Sequence, residues 1–411
     1  VAHPLIDMLA LDARASTEEP MSDLLEPPVV SASTVTAEVA GTRLTLVEGG
    51  TERLKLILRM IDGATRSVRL LFYMMDADAV GEAVRDALVR AASRGCTVQV
   101  ILDGFGSSIP SDFFDPLKQA GGSSCLFNPR IGVRYLLRNH QKLVVIDDAE
   151  AITGGANLTV DYMSDQSPER WRDLWLHVEG PAVRAAARYY DALHAWTVRK
   201  GPKLRELRRL LHRHSQRKGA LQWQYTGPVR RGHPWTFGVA RDLAAAGSLD
   251  MIAAYFSPPF AMLRRLRRLG RRGQVRIMTA ARSDNNATIG AARHTYRGLL
   301  RAGVRMFEFQ PEKLHTKLLI MDDVVHLGSA NFDFRSLYLN LEMMLRIEDA
   351  GFAAQMRDYF ERQVGEAQEI TPALHRQRAS WWHKLKWALS NFLVTAVDYT
   401  VTRRLNFGPE R

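Results

Sequence analysis

The chain has 411 residues, 46% of them hydrophobic and 24% charged, which provides apolar material for two or three packed domains and excludes a wholly disordered protein. Its formal net charge of +12 points to a polyanionic partner, nucleic acid or an anionic membrane surface, without choosing between them. Cys96 and Cys125 are the only cysteines, too few for a disulfide framework or for metal binding through thiolates.

Residues 1–40 are rich in Ser, Thr, Ala, Glu and Pro and read as a mostly disordered segment; they lack the basic region and the apolar length of a secretory signal. From 41 to 198 strands and helices alternate. VRLLFYMM (68–75) is a buried strand, GEAVRDALVRAASRG (81–95) a helix closed by glycine, and TVQVILDGFGS (97–107) a second strand and turn. RKGPKLRELRRLLHRHSQRK (199–218), with nine Lys or Arg against one Glu, lies in a basic connector over 199–220. Residues 221–368 repeat the first plan: LDMIAAYF (249–256), a helix through AMLRRLRRLGRRG (261–273), then VRIMTAA (275–281). Residues 369–411 form a tail. No stretch approaches the roughly 18 to 20 uninterrupted apolar residues that span a bilayer.

The repeat extends to polar residues. NHQKLVVIDDAEAITGGAN (139–157) and LHTKLLIMDDVVHLGSAN (314–331) share a spacing, with His140, Lys142 and Asp147 matched by His315, Lys317 and Asp322. Asn157 follows His140 by 17 residues and Asn331 follows His315 by 16. Strand, helix, strand alternation gives an α/β fold with mixed sheets flanked by helices, and the repeat makes it a duplicated domain. Two halves about a pseudo-twofold axis would bring both His-Lys pairs to one cleft.

Two imidazoles suit a double displacement, one as nucleophile and the other protonating the leaving oxygen and deprotonating the incoming one. Two lysines and two asparagines supply charge and donors to phosphate oxygens. The substrate that fits is a phosphodiester. No His/Cys/carboxylate set with metal-ligand spacing accompanies them, so no metal and no other cofactor is expected.

The doubled HxKxxxxD motifs, followed by GGxN in one half and GSxNFDxRS in the other, resemble the phospholipase D superfamily over about residues 41–365. VEGG (47–50), DGFGS (103–107), RNHQK (138–142), WRDL (171–174) and NLE (340–342) resemble, more narrowly, short bacterial cardiolipin synthases without N-terminal transmembrane helices. The resemblance implies one shared active site with His140, Lys142, Asp147, His315, Lys317 and Asp322 as its motif residues. Within that set His140 is the expected nucleophile and His315 the acid and base, while Asp147 and Asp322 suit a turn scaffold. Asn157 and Asn331, with Ser329 as a weaker candidate, would bind phosphate; the asparagines also fit helix N-caps. The carboxylate downstream of each motif would orient that motif's histidine, which assigns Asp173 to His140 and Glu342 to His315. Asp173 also fits a surface ion pair with Arg170 or Arg172.

The implied activity is phosphatidyl transfer from phosphatidylglycerol or phosphatidylethanolamine to a second phosphatidylglycerol. Hydrolysis by the same residues, a phospholipase D, and cleavage of nucleic acid are the alternatives; a nucleic-acid partner is not expected. In the tail, a helical wheel gathers Trp381, Trp382, Leu385, Leu389, Phe392, Leu393, Ala396 and Tyr399 on one side and leaves Trp387 and Val394 on the other. With Arg264, Arg265, Arg267 and Arg268 this suits a peripheral enzyme on an anionic membrane, at the cytoplasmic face of a bacterial inner membrane. The same apolar stripe also fits packing on the protein's own core.

Overall fold

The computed structural model describes residues 35–127, 137–228 and 233–407, with side chains as far as Thr395. The disorder expected of residues 1–34 lies outside the described residues.

The order of the strands shows the duplication. The first half contributes β1 (Thr36–Val39), β2 (Thr42–Val47), β3 (Ser67–Phe72), β4 (Thr97–Asp103), β5 (Ser123–Phe127), β6 (Leu143–Ile146), β7 (Glu150–Gly154) and β8 (Trp175–Glu179). The second contributes β9 (Leu221–Thr226), β10 (Ser248–Ala253), β11 (Gln274–Ala280), β12 (Arg305–Phe309), β13 (Lys317–Met321), β14 (Val324–Gly328), β15 (Glu342–Glu348) and β16 (Ala367–Ile370). The sheets run β1-β2-β8-β7-β6-β3-β4-β5 and β9-β15-β14-β13-β10-β11-β12-β16. Setting β1 and β16 aside, the two seven-strand orders are the same. Within them β3, β4 and β5 pair in parallel, as do β10, β11 and β12, and the other neighbours are antiparallel.

β1 corrects the boundary drawn at residue 41. Thr36–Val39 pairs antiparallel with β2, and Val39 is buried in the core. The basic connector is likewise more than a linker, since a helix over Leu204–His214 turns Leu207 and Leu211 into the core while its basic residues line the outside.

Alternation along the strands divides the apolar side chains between layers. Leu143 and Val145 of β6 point into a central core, and Val144 and Ile146 into an outer core beneath the first-half helices. β13 does the same, with Leu318 and Ile320 inward and Leu319 and Met321 outward. The central core contains both sheets' inner faces and the helices Val183–Thr197 and Ala350–Gly365, so one continuous apolar layer joins the halves. Tyr189 of the first half stacks on Tyr225 of the second within it, ring centres 3.7 Å apart.

Two further strand pairs cross between halves at the mouth of the sheets. Lys313–Leu314 pairs in parallel with Trp171–Arg172, and Asn139 bridges Leu341 in the same sense. Each motif's first residues are therefore stitched to the other half.

Candidate active site

His140 and His315 leave these cross-half pairings side by side. The His140 amide donates to Leu341 O and the His315 amide to Arg172 O, each at 2.8 Å, so two equivalent backbone bonds aim both rings into one cleft. The ring centres are 6.4 Å apart. That gap accepts a phosphorus atom with a nitrogen at roughly 3 to 3.5 Å on either side.

The carboxylates pair across the halves, which corrects the assignment by order in the chain. His140 Nδ1 lies 3.0 Å from Glu342 Oε2, and His315 Nδ1 lies 2.5 Å from Asp173 Oδ2. The physical reason is the crossed stitching: Glu342 follows Leu341, which holds His140, and Asp173 follows Arg172, which holds His315. Each Nδ1–H donates to its carboxylate and leaves Nε2 for the substrate. Asp173 is fully buried and forms no pair with Arg170 or Arg172, whose guanidinium groups go to Glu312.

The acids are supported differently. A Cβ on Gly155 would lie 2.4 Å from Asp173 Oδ1, so glycine is required there for the acid to reach His315. At the matching place Ser329 donates its hydroxyl to Glu342 Oε2 at 2.6 Å. Ser329 is fully buried and orients Glu342, which corrects its assignment as a phosphate ligand.

Lys142 and Lys317 reach back to the carbonyls of His140 and His315, the first at 2.7 Å. Burial pushes Lys142 down to about 7 and Lys317 to about 8, against the pull of Glu342 on the first and Asp173 on the second. Burial, with Lys317 beside it, also holds His315 at about 3 despite Asp173, and burial lowers His140 despite Glu342. The cleft thus holds neutral imidazoles and easily discharged lysines, a state that an entering anion reverses.

A pH dependence follows. A bound phosphodiester anion raises both lysines, so the complex retains protons that the free protein gives up above pH 7 to 8. Affinity for glycerophosphoglycerol, a diester of constant charge, should fall between pH 6.5 and 9 by up to about tenfold per pH unit for each lysine. Calorimetric titration across that range checks it; an affinity independent of pH would refute it.

Asn157 and Asn331 are buried and leave their Oδ1 atoms without a partner among the described residues, as does Glu342 Oε1. Neither asparagine caps a helix: the following short helices are capped by Thr159 and Asp333. These Oδ1 oxygens are acceptors, so a phosphate would be met by the Nδ2 groups, of which that of Asn157 also reaches Tyr162.

Asp147 and Asp322 stand a strand's length from the histidines and correct their inclusion in the catalytic set. Asp147 accepts from the amides of Thr65, Arg66 and Ser67, and Asp322 from those of Gly247 and Ser248. Both adopt positive φ, 53° and 48°, in the turns that close β6–β7 and β13–β14, a conformation aspartate tolerates better than most residues. The first turn has three residues and the second two, which explains the one-residue difference in spacing to the asparagines.

Several residues at the site have no role assigned to them from the sequence. Buried Arg53 donates to the carbonyls of Asp173, Tyr162 and Glu48, fixing the backbone that presents Asp173. Tyr162, Trp171 and Tyr255 surround the His315 ring edge-on, and Tyr73 lies against His140. Asp103, in the DGFGS stretch, accepts from the Asn139 amide at 2.7 Å and so fixes the residue before His140.

Fold and site together define a phospholipase D-like enzyme whose two half-sites form one centre. Residues 57–186 and 242–364 match the family described as "Cardiolipin synthase, PLD-like domain", and the chain belongs to that family. It is 31% identical over 370 residues to cardiolipin synthase B of Salmonella typhimurium, covering 85% of this chain and 87% of that one. It is 30% identical over 349 residues to cardiolipin synthase A of Pseudomonas aeruginosa, covering 82% of this chain and 70% of that one. The fold is shared with the crystal structure of phosphatidylserine synthase from Haemophilus influenzae, with a TM-score of 0.68 at 14% identity over 87% of this chain and 94% of that one.

Proposed function

We propose that the protein is a cardiolipin synthase-type phosphatidyltransferase, and the observation that carries this is the pair of histidines 6.4 Å apart, each held by the other half's carboxylate. His140 Nε2 attacks the phosphorus of phosphatidylglycerol or phosphatidylethanolamine. The N–P bond forms, the P–O bond to the headgroup breaks, and His315 gives the leaving oxygen its proton. A terminal hydroxyl of a second phosphatidylglycerol then gives its proton to His315, forms the new P–O bond and releases His140. One phosphodiester replaces another, so no nucleotide is consumed. Lys142, Lys317, Asn157 and Asn331 hold the phosphate oxygens as charge grows on them.

The asymmetry of the two histidines supports this division of roles. The His140 side chain is 12% exposed and that of His315 4%, and the Ser329 hydroxyl takes up part of the Glu342 charge that would favour protonating His140. His140 is therefore the more open ring, and burial keeps it unprotonated, as a nucleophile must be. His315, bonded to the buried Asp173 carboxylate, becomes the proton carrier once substrate adds its own negative charge.

A membrane surface is the partner that the outside of the molecule suits. The helix Trp381–Phe407 packs through Trp387, which stacks on His375 with ring centres 5.6 Å apart, and through Ser390 over Gly290. This corrects the placing of Trp387 on the outward, polar side. The stripe of Trp381, Trp382, Leu385, Leu389 and Phe392 faces away from the protein, more than half exposed at each position. Phe260 is exposed as well, at the start of the helix that carries exposed Arg264 and Arg268; Arg267 instead lies against Gly298. Aromatic side chains beside basic ones suit an interface with anionic lipid, at the inner membrane of a bacterium. Ala396 and Tyr399 fall outside the described side chains. Among the described residues no helix is long and apolar enough to cross a membrane.

The test uses vesicles of labelled phosphatidylglycerol. Cardiolipin and free glycerol should appear in equal amounts, and removal of residues 380–411 should lower the yield on vesicles more than on detergent micelles. Phosphatidic acid and glycerol without cardiolipin would mark a hydrolase. Inertness on lipid with cleavage of single-stranded DNA would overturn the reading.

A further inference from the structure

The two walls of the cleft are not equivalent. Ser67 aligns with Thr97 across β3 and β4, and Ser248 with Gln274 across β10 and β11. Counted from those pairs, Met74 matches Tyr255 and Ser107 matches Asp284. On the first-half wall the Ser107 hydroxyl donates to Tyr73 O at 3.2 Å and no acid is present at that position. On the second-half wall the Tyr255 hydroxyl donates to Asp284 Oδ1 at 2.9 Å, joined by Ser283 Oγ at 3.0 Å.

Asp284 is exposed and forms no ion pair with any described residue. Its charge reaches the phosphate site, where it works to raise Lys317. A carboxylate at the mouth of a phosphate cleft opposes the substrate's own charge, and in a chain with a net charge of +12 it does not serve general attraction of anions. Its position explains it. Tyr255 lies edge-on to His315, ring centres 6.2 Å apart, and leads outward to Asp284. His315 is the ring that exchanges a proton with the alcohol oxygen, so the alcohol occupies this side of the phosphorus.

We propose that Asp284 and Tyr255 form the subsite for the attacking alcohol and select one with a second hydroxyl, the terminal glycerol of a phosphatidylglycerol headgroup. This rests on the transfer reading above. The attacking hydroxyl gives its proton to His315 Nε2 as its oxygen bonds to phosphorus and the bond from His140 Nε2 breaks. The neighbouring hydroxyl donates to the Asp284 carboxylate, a charge-assisted hydrogen bond, and Tyr255 holds that carboxylate in place. Water and simple alcohols have no second hydroxyl, on a neighbouring carbon, that could reach Asp284 while the first oxygen bonds to phosphorus. The subsite thus favours transfer over hydrolysis at the step where the phosphatidyl-enzyme is committed.

The test compares two soluble acceptors, glycerol and 1-propanol, on the same preparation of full-length enzyme, so any loss of folded protein cancels from their ratio. The wild-type protein should prefer glycerol. Asp284→Ala should lower the glycerol-to-propanol ratio of kcat/KM by roughly 10- to 100-fold, mainly through the KM for glycerol, and raise the share of hydrolysis. Tyr255→Phe should lower the ratio less. An unchanged ratio in Asp284→Ala, with wild-type transfer intact, would overturn the subsite alone. Absence of transfer to either alcohol by the wild-type protein would overturn the transfer reading and the subsite with it.

Discussion

Replacing His140 with alanine should lower phosphatidyl transfer by about 10⁴-fold or more, with the fold retained, because no other group on that side of the cleft can form the covalent bond. His315→Ala should lower transfer between natural lipids to a similar extent for a different reason, since the leaving and entering oxygens lose their proton carrier. The two variants separate on a lipid phosphodiester with a nitrophenyl leaving group. Nitrophenolate departs without a proton, so His315→Ala should release about one equivalent per active site and then stall as phosphatidyl-enzyme. His140→Ala should release none. Rapid-quench measurement of nitrophenolate decides it, and a burst from His140→Ala would show that the roles are reversed.

The crossed carboxylates give the second large effect. Asp173→Asn should reproduce the His315→Ala pattern, a burst followed by a stall, and Glu342→Gln should reproduce that of His140→Ala. Each should cost transfer about 10³- to 10⁴-fold, because an amide no longer fixes the tautomer or balances the imidazolium. The direction of the match matters more than its size. The chain-order assignment, with Asp173 serving His140, predicts the opposite match. Nitrophenolate bursts from the two variants therefore test the geometry in which Leu341 and Arg172 present their neighbours to the other half.

The sequence made some of this legible and hid the rest for identifiable reasons. The doubled spacing of His140, Lys142 and Asn157 with His315, Lys317 and Asn331 revealed the duplication, and the shared seven-strand order bears it out. The crossed pairing was hidden because it depends on two short parallel pairings between halves, at residues 139 with 341 and 313–314 with 171–172. Nothing in a two-residue strand announces its partner. The motif aspartates share the motif's spacing with the histidines and lysines, but the turn-scaffold reading of them agrees with the backbone amides that Asp147 and Asp322 accept. A helical wheel found the apolar stripe of the tail but could not show that Trp387, on the other side, was the residue facing the protein. Thr36–Val39 was lost in a segment averaged by composition. Arg53, Tyr255 and Asp284 left no local pattern, since each acts through residues distant in the chain or on a neighbouring loop.

During turnover a phosphatidyl group should pass through one histidine of a site built from both halves. The most direct measurement is mass-spectrometric mapping of the adduct in wild-type protein, quenched in alkali during turnover of labelled phosphatidylglycerol. The phosphatidyl group should be found on His140. A group found on His315 instead, or turnover with no adduct on either histidine, would contradict it.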